Sequence, residues 1–322
     1  MALLTAIALI VGGLLLLAGG GEAMVRGATA VARHAGVTPA VIGLTVVAAG
    51  TSLPELVVSV LAALSGEPEI AVGNVVGSNI LNLLGVLGFT ALLIELPVRG
   101  VSVKYEWPFM FLISCLALVL ARDGLIDRVE GGLMLAGFVG FAAYMVAVAR
   151  REVAAEERSR VEAMVRMRAG RAGEAALAIS LAGVVLGGLL LVLGGSALVS
   201  GAVNLARLAG LSERVIGLTV VAVGTSLPEL AASAAAARRG QTDIAIANLI
   251  GSNVFNLLGI LGTTALVRPI PVAPLIVHRD MVWMVGSAFV LFPIMRSGMR
   301  VTRLEGALLL GLYGVYIVQL FR

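Results

Sequence analysis

The chain has 322 residues, 59% of them hydrophobic and 13% charged, with a mean hydropathy of +1.05, which places it far outside the range of a soluble globular domain. Its formal net charge is +4; between long apolar runs such positives act as topology signals in a lipid bilayer, and no nucleic-acid partner is expected. The single cysteine, Cys115, excludes an intrachain disulfide and a cysteine-based metal site, so soft-metal chemistry loses its ligands.

The first apolar run, "LLTAIALIVGGLLLLAGG", continues into a long helical pattern without a small-residue cleavage site and reads as a first transmembrane helix, not a signal peptide. Runs long enough to span a bilayer, roughly 20 residues each, fall at 3–32, 38–64, 69–95, 106–121 and 130–149. After a charged stretch they resume at 175–207, 213–237, 243–267, 275–295 and 304–321. Glycine-rich "GGLLLLAGGG" and "GGLLLVLGGS" in the first and sixth spans suit either sliding against a core or ordinary close packing. His34 and His278 lie near span ends, far apart, and read as interfacial residues, not ligands. The segment 151–174 mixes both signs of charge with apolar residues at helical spacing. It reads as a linker helix on the membrane surface, with binding to anionic lipid headgroups as the sharper alternative. At roughly 25 residues it is too short for a separate folded domain.

With an offset of 174, "GLTVVAAGTSLPEL" at 43–56 recurs as "GLTVVAVGTSLPEL" at 217–230, differing only at Ala49 against Val223. "GNVVGSNILNLLGVLG" at 73–88 matches "ANLIGSNVFNLLGILG" at 247–262 at ten of sixteen positions, with the offset unchanged. The chain is therefore expected to hold a first repeat at 1–150, a linker at 151–174 and a second repeat at 175–322. Five spans is an odd number, so the second copy begins on the opposite side of the membrane from the first. The expected fold is an all-α polytopic membrane protein of ten transmembrane helices, arranged as two inverted five-helix repeats. If the linker is cytoplasmic, the inner loops collect 16 of the 23 lysines and arginines and the outer side 7. That bias fits the positive-inside rule with both termini outside the cell membrane.

Most acidic residues lie in or near predicted loops or span ends, and Glu55 and Glu229 are the exceptions. A carboxylate at mid-bilayer costs about 2.5–3.5 kcal/mol on insertion scales, and such residues usually face the bundle interior and mark ion or proton pathways. Glu22 is a weaker third candidate, with no acidic counterpart in the second copy, and is expected at a helix end or cavity edge. Pro54 and Pro228 precede the two glutamates, so carbonyls near Ala48–Gly50 and Ala222–Gly224 should be released from helical pairing. Thr51, Ser52, Thr225 and Ser226 add hydroxyls at the same level. Two such motifs facing each other make an all-oxygen cage, the ligand set of hard cations. In the following span Asn74, Ser78 and Asn82 are spaced by four and share a helix face, as do Asn248, Ser252 and Asn256. Packing and interhelical hydrogen bonding would explain one such span, but the features coincide twice at one spacing. An ion-coupled cation transporter accounts for them best, with a pore-forming channel or a non-transporting scaffold as alternatives.

The paired "GTSLPE" motifs, with "GSNILN" and "GSNVFN", resemble the two alpha-repeats of the cation/calcium antiporter superfamily, in particular its prokaryotic-type sodium/calcium exchanger branch. The resemblance covers nearly the whole chain. It implies a protein that moves calcium against sodium by alternating access, with ion sites at the centre of the bilayer. Glu55 and Glu229 would be the principal carboxylates. Thr51, Ser52, Thr225 and Ser226 match hydroxyl and carbonyl ligands, and Ala48 and Ala222 match positions that offer backbone carbonyls. Ser78, Asn82, Ser252 and Asn256 match ligands of the third and eighth spans. Some potassium-dependent members resemble this pattern but carry aspartate where Asn256 stands, which weakens the case for potassium. Proton-coupled members typically carry an extra glutamate in a "GNxxE"-like motif, whereas this chain reads "GNVVGSN" and "ANLIGSN" and leans toward sodium. A proton/calcium or other divalent-cation antiporter is the alternative. The expected substrates are calcium and sodium ions. No catalytic residue, no cofactor and no obligate protein partner is expected.

Overall fold

The computed structural model describes residues 2–35, 47–152, 174–208, 215 and 217–320. The head of the first repeat motif, 43–46, and the body of the expected linker, 153–173, lie outside them, as does the side chain of His34. The described chain is mostly helical. Helix α1 is Ala2–Ala35, and a short α2 at Ala48–Thr51 is followed by α3 at Leu53–Ser65. Then come α4 (Pro68–Leu93), α5 (Ser102–Asp123) and α6 (Arg128–Glu152). In the second half α7 is Glu174–Leu208, α8 is Ala222–Thr225 and α9 is Leu227–Arg238. They are followed by α10 (242–267), α11 (276–296) and α12 (Arg303–Leu320).

Five of these helices among the described residues are long and apolar enough to cross a membrane, and the bent pair of the second motif adds one more if counted as a single span. Burial sorts them. In the apolar windows of Pro68–Leu93 and Ile244–Val267, 83% and 94% of residues are buried, against 28% for Ser102–Asp123 and 22% for both Leu177–Gly194 and Arg303–Leu320. Helices α4 and α10 therefore form the centre. The others present Leu112, Leu133, Ile179 and Leu304 outward, an apolar rim suited to lipid, where helices satisfy their own backbone groups.

The repeat is visible element by element. Helices α3 and α9 begin with proline in their first turn, where its missing N–H costs nothing. The chain leaves helical geometry at the preceding serines, Ser52 (φ −88, ψ 11) and Ser226 (φ −85, ψ 4), and restarts in a new direction. In the second copy the bend between the segments is 42°. Within α4 and α10 one turn widens to π-helical pairing, at Leu81–Val86 and at Phe255–Ile260, which places Asn82 and Asn256 in matched irregular turns. Such single-turn π segments are often associated with functional sites, and neither was anticipated from helical periodicity.

Two strand pairs join the halves. β1 (Leu96–Pro97) runs antiparallel to β4 (Arg300–Val301), and β2 (Leu125–Ile126) to β3 (Ile270–Pro271). The helix contacts also match in pairs: Gly88 of α4 backs onto Gly306 of α12, while Gly262 of α10 backs onto Gly131 of α6. Helices α1 and α7 pack along one another in opposite directions through Gly20, Gly27, Gly183 and Gly187. A Cβ on Gly27 would stand 2.7 Å from the backbone of Ser180 and Val184.

That closeness can be tested. Gly27→Ala is expected to destabilise the protein by about 1–3 kcal/mol through overpacking, read as a lower melting temperature in detergent. Gly12→Ala, on the same helix with nothing within 4 Å of an added Cβ, should show no such loss.

Candidate functional site

The break at Ser52 and Ser226 sets both glutamates in the first turn of a new helix, at the centre of the bundle, and both are fully buried. Each is hydrogen-bonded by the serine of the other copy. Ser52 Oγ donates to Glu229 Oε1 at 2.6 Å, and Ser226 Oγ donates to Glu55 Oε1 at 3.2 Å. Ser252 Oγ donates to the same Glu229 oxygen at 3.3 Å. The two carboxylates are close enough for their charges to interact.

The threonines cross in the same way. Thr225 Oγ1 lies 2.9 Å from Asn74 Oδ1, and Thr51 Oγ1 lies 3.4 Å from Asn248 Oδ1. Each asparagine is oriented from behind. Asn74 Nδ2 donates to Ser59 Oγ at 2.9 Å and to the Glu55 carbonyl at 3.2 Å, and Asn248 Nδ2 donates to Ser233 Oγ at 3.3 Å. An asparagine whose nitrogen is engaged in this way presents its oxygen to the threonine.

The backbone differs in one respect from what the prolines imply. The Ala48 carbonyl accepts from the Ser52 N–H at 3.1 Å and from Thr51 Oγ1 at 3.2 Å. The Ala222 carbonyl accepts from the Ser226 N–H at 3.0 Å and from Thr225 Oγ1 at 3.4 Å. It is the carbonyls of Gly50 and Gly224, four residues before Pro54 and Pro228, for which the proline has no N–H to offer.

A set of buried polar atoms has no hydrogen-bond partner among the described residues. It includes Glu55 Oε2, Glu229 Oε2, Ser78 Oγ, Asn82 Oδ1 and both amide atoms of Asn256. Groups this deep are costly unless something completes their coordination. Five of these six atoms are oxygens, carried on four helices, and oxygen ligands are what a hard cation needs. Among the described residues no group of three or more His, Cys, Asp or Glu gathers anywhere, so the acidic charge at the centre comes from the glutamate pair.

The twelve residues expected as ion ligands all lie buried, ten of them on α2, α3, α4, α8, α9 and α10, and Ser52 and Ser226 at the breaks between helices. Glu22 sits apart, half-buried on α1, where it pairs with Arg26 at 2.6 Å and with Arg239. That is a helix-surface position, and the repeat-equivalent residues of all three partners are serines: Ser196, Ser200 and Ser65. His278 is exposed. Sequence reading missed Ser59 and Ser233, although each stands four residues beyond its glutamate in both copies. It also missed that Glu106 and Asp280, another acidic pair at the 174 offset, are buried in π-helical turns.

Residues 5–147 and 179–322 match the family described as sodium/calcium exchanger protein. The chain is 36% identical over 324 residues to the inner membrane protein YrbG of Escherichia coli, covering 99% of this chain and 98% of the relative. It is 31% identical over 344 residues to the sodium/calcium exchanger MaX1 of Methanosarcina acetivorans, covering 96% of each. The solved structure of the sodium-calcium exchanger NCX_Mj soaked with sodium and strontium matches with a TM-score of 0.81 at 30% identity, over 98% of each chain.

The hydrogen bonds between the two copies carry their own test. Ser52→Ala should cost about 1 kcal/mol, within the range measured for buried interhelical bonds in membrane proteins. It should cost more than Ser226→Ala, whose bond is longer. Equilibrium unfolding in mixed micelles reads both.

Proposed function

This chain belongs to the sodium/calcium exchanger family, and from that premise we propose that it exchanges Ca2+ for Na+ across the cell's inner membrane by alternating access. That it is a membrane antiporter of calcium and other cations, and not an enzyme, follows from the family itself. The observation that carries the finer reading is the crossed pairing of Ser52 with Glu229 and Ser226 with Glu55, which leaves the second oxygen of each carboxylate without a partner among the described residues.

In this reading Glu55 and Glu229 are the charged ligands. Thr51, Ser52, Thr225, Ser226, Ser78, Asn82, Ser252 and Asn256 supply neutral oxygens, and the Ala48 and Ala222 carbonyls supply backbone ones. Two ionised carboxylates carry a charge of −2, which one calcium neutralises. Emptying the site would leave both unpaired in a low-dielectric interior, which is strongly unfavourable. The empty carrier therefore resists turning to the other side. Calcium or sodium relieves the repulsion, and competition for the same oxygens makes exchange obligatory. Sodium is favoured over protons as the coupling ion because neither "GNVVGSN" nor "ANLIGSN" contains an additional carboxylate. The names of MaX1 and NCX_Mj agree with that choice.

The proposed architecture is ten spans in two inverted repeats, 1–150 and 175–322, with both termini outside and the 151–174 linker in the cytoplasm. The strand pairs support the inversion. β1 precedes α5 and β2 follows it, yet β3, the repeat counterpart of β1, pairs with β2. β1 and β3 therefore lie at opposite ends of a helix about 30 Å long. Helices α1 and α7, with their glycine-lined contact, are the elements proposed to slide against α4 and α10.

Glu55→Gln and Glu229→Gln are each expected to abolish calcium transport while the protein still folds, since the amide removes charge at nearly constant volume. The assay is radiolabelled calcium uptake into proteoliposomes loaded with sodium, potassium or choline, with pH gradient and membrane potential clamped. Uptake is expected only with internal sodium and unchanged by potassium. Uptake driven by an imposed pH gradient instead would make protons the coupling ion, and normal transport by both variants would remove the carboxylates from the site. Flux with no counter-ion requirement would describe a channel.

A further inference from the structure

The two "GSN" motifs are alike in sequence but not in what their asparagines do. Asn79 and Asn253 occupy equivalent positions, as do Asn82 and Asn256. All four are buried. Asn253 reaches across the bundle: its Oδ1 accepts from Asn82 Nδ2 at 3.1 Å, and its Nδ2 donates to the Asn79 carbonyl at 3.3 Å. Asn79 makes no reciprocal bond. Its Nδ2 donates to the Val75 carbonyl of its own helix at 2.7 Å, and both amide atoms of Asn256 are without a hydrogen-bond partner among the described residues.

A primary amide has a donor end and an acceptor end, and only the acceptor end suits a cation. With its nitrogen held by Asn253, Asn82 keeps its oxygen as the end without a partner. No such bond sets the polarity of Asn256. We infer that Asn253 is a positioning residue for cation binding: by accepting from the Asn82 amide nitrogen, it commits the Asn82 oxygen to the transported ion. The site is then polarised in advance on the Asn82 side and adjusts on the Asn256 side, where the amide turns as ions of different charge and number enter. This inference rests on the reading of Asn82 as an ion ligand.

The test compares purified, monodisperse variants in the same proteoliposome assay, with calcium varied at fixed sodium. Asn253→Leu, of the same branched shape and without an acceptor, should raise the KM for calcium about five- to tenfold, the scale of one lost neutral hydrogen bond, with the maximal rate largely kept. Asn253→Asp, which keeps the acceptor, should return KM toward wild type. Asn79→Leu introduces the same change at the equivalent, equally buried position and should leave KM within about twofold of wild type, since the Asn79 side chain does not hold Asn82. Should Asn253→Leu fail to fold, the smaller Asn253→Ala, also without an acceptor, takes its place. An unchanged KM in Asn253→Leu overturns the inference. So does an equal rise in Asn79→Leu, or an Asn253→Asp as impaired as Asn253→Leu. Asn82→Ala separates the two levels: if it leaves KM unchanged, Asn82 is not a ligand and the ligand reading has failed. If it raises KM while Asn253→Leu does not, only the positioning role has failed.

Discussion

A carboxylate taken out of water must be answered by something, and this protein buries two of them, one from each copy of the motif. Neither is answered within its own motif. Each glutamate accepts from the serine of the other copy, so neither half completes its polar centre alone. The irregularities around them follow from that demand. The helix breaks at Ser52 and Ser226 aim carboxylate and hydroxyl from one segment toward the other, and backbone that leaves helical pairing at this depth is tolerated where polar partners surround it.

The same demand accounts for the layout. Small residues bring helices into backbone contact at Gly88 with Gly306, Gly131 with Gly262 and Gly27 with Ser180, which lets the helices close tightly around a polar centre. Helices α4 and α10 are covered on nearly all sides. They are the elements able to carry asparagine and serine through the bundle without showing them to lipid.

Near-equivalence of the two copies has a functional meaning in the proposed mechanism. If the halves are inverted relatives, a pseudo-two-fold rotation exchanges them, and the inward- and outward-facing states use equivalent contacts with the roles of the halves exchanged. Departures from equivalence then set the differences between the two faces. Two are concrete: the Glu22, Arg26 and Arg239 cluster, replaced by serines in the other copy, and the one-way reach of Asn253 to Asn82.

The sequence alone determined what is local or repeated. Proline beside glutamate marks the helix breaks, because a missing N–H acts within one turn. The 174-residue offset marks the matching elements, and burial of Glu55 and Glu229 follows from an acidic residue set in an apolar span. Tertiary structure decided what depends on partners far away in the chain. Ser52 chooses a carboxylate 177 residues distant, the widened turns at Leu81–Val86 and Phe255–Ile260 break a regular apolar period, and Glu106 and Asp280 are buried despite their place at a span end. Two identical "GSN" strings end in different hydrogen bonds because an amide has two ends, and which end is taken is set by whichever neighbour arrives across the bundle.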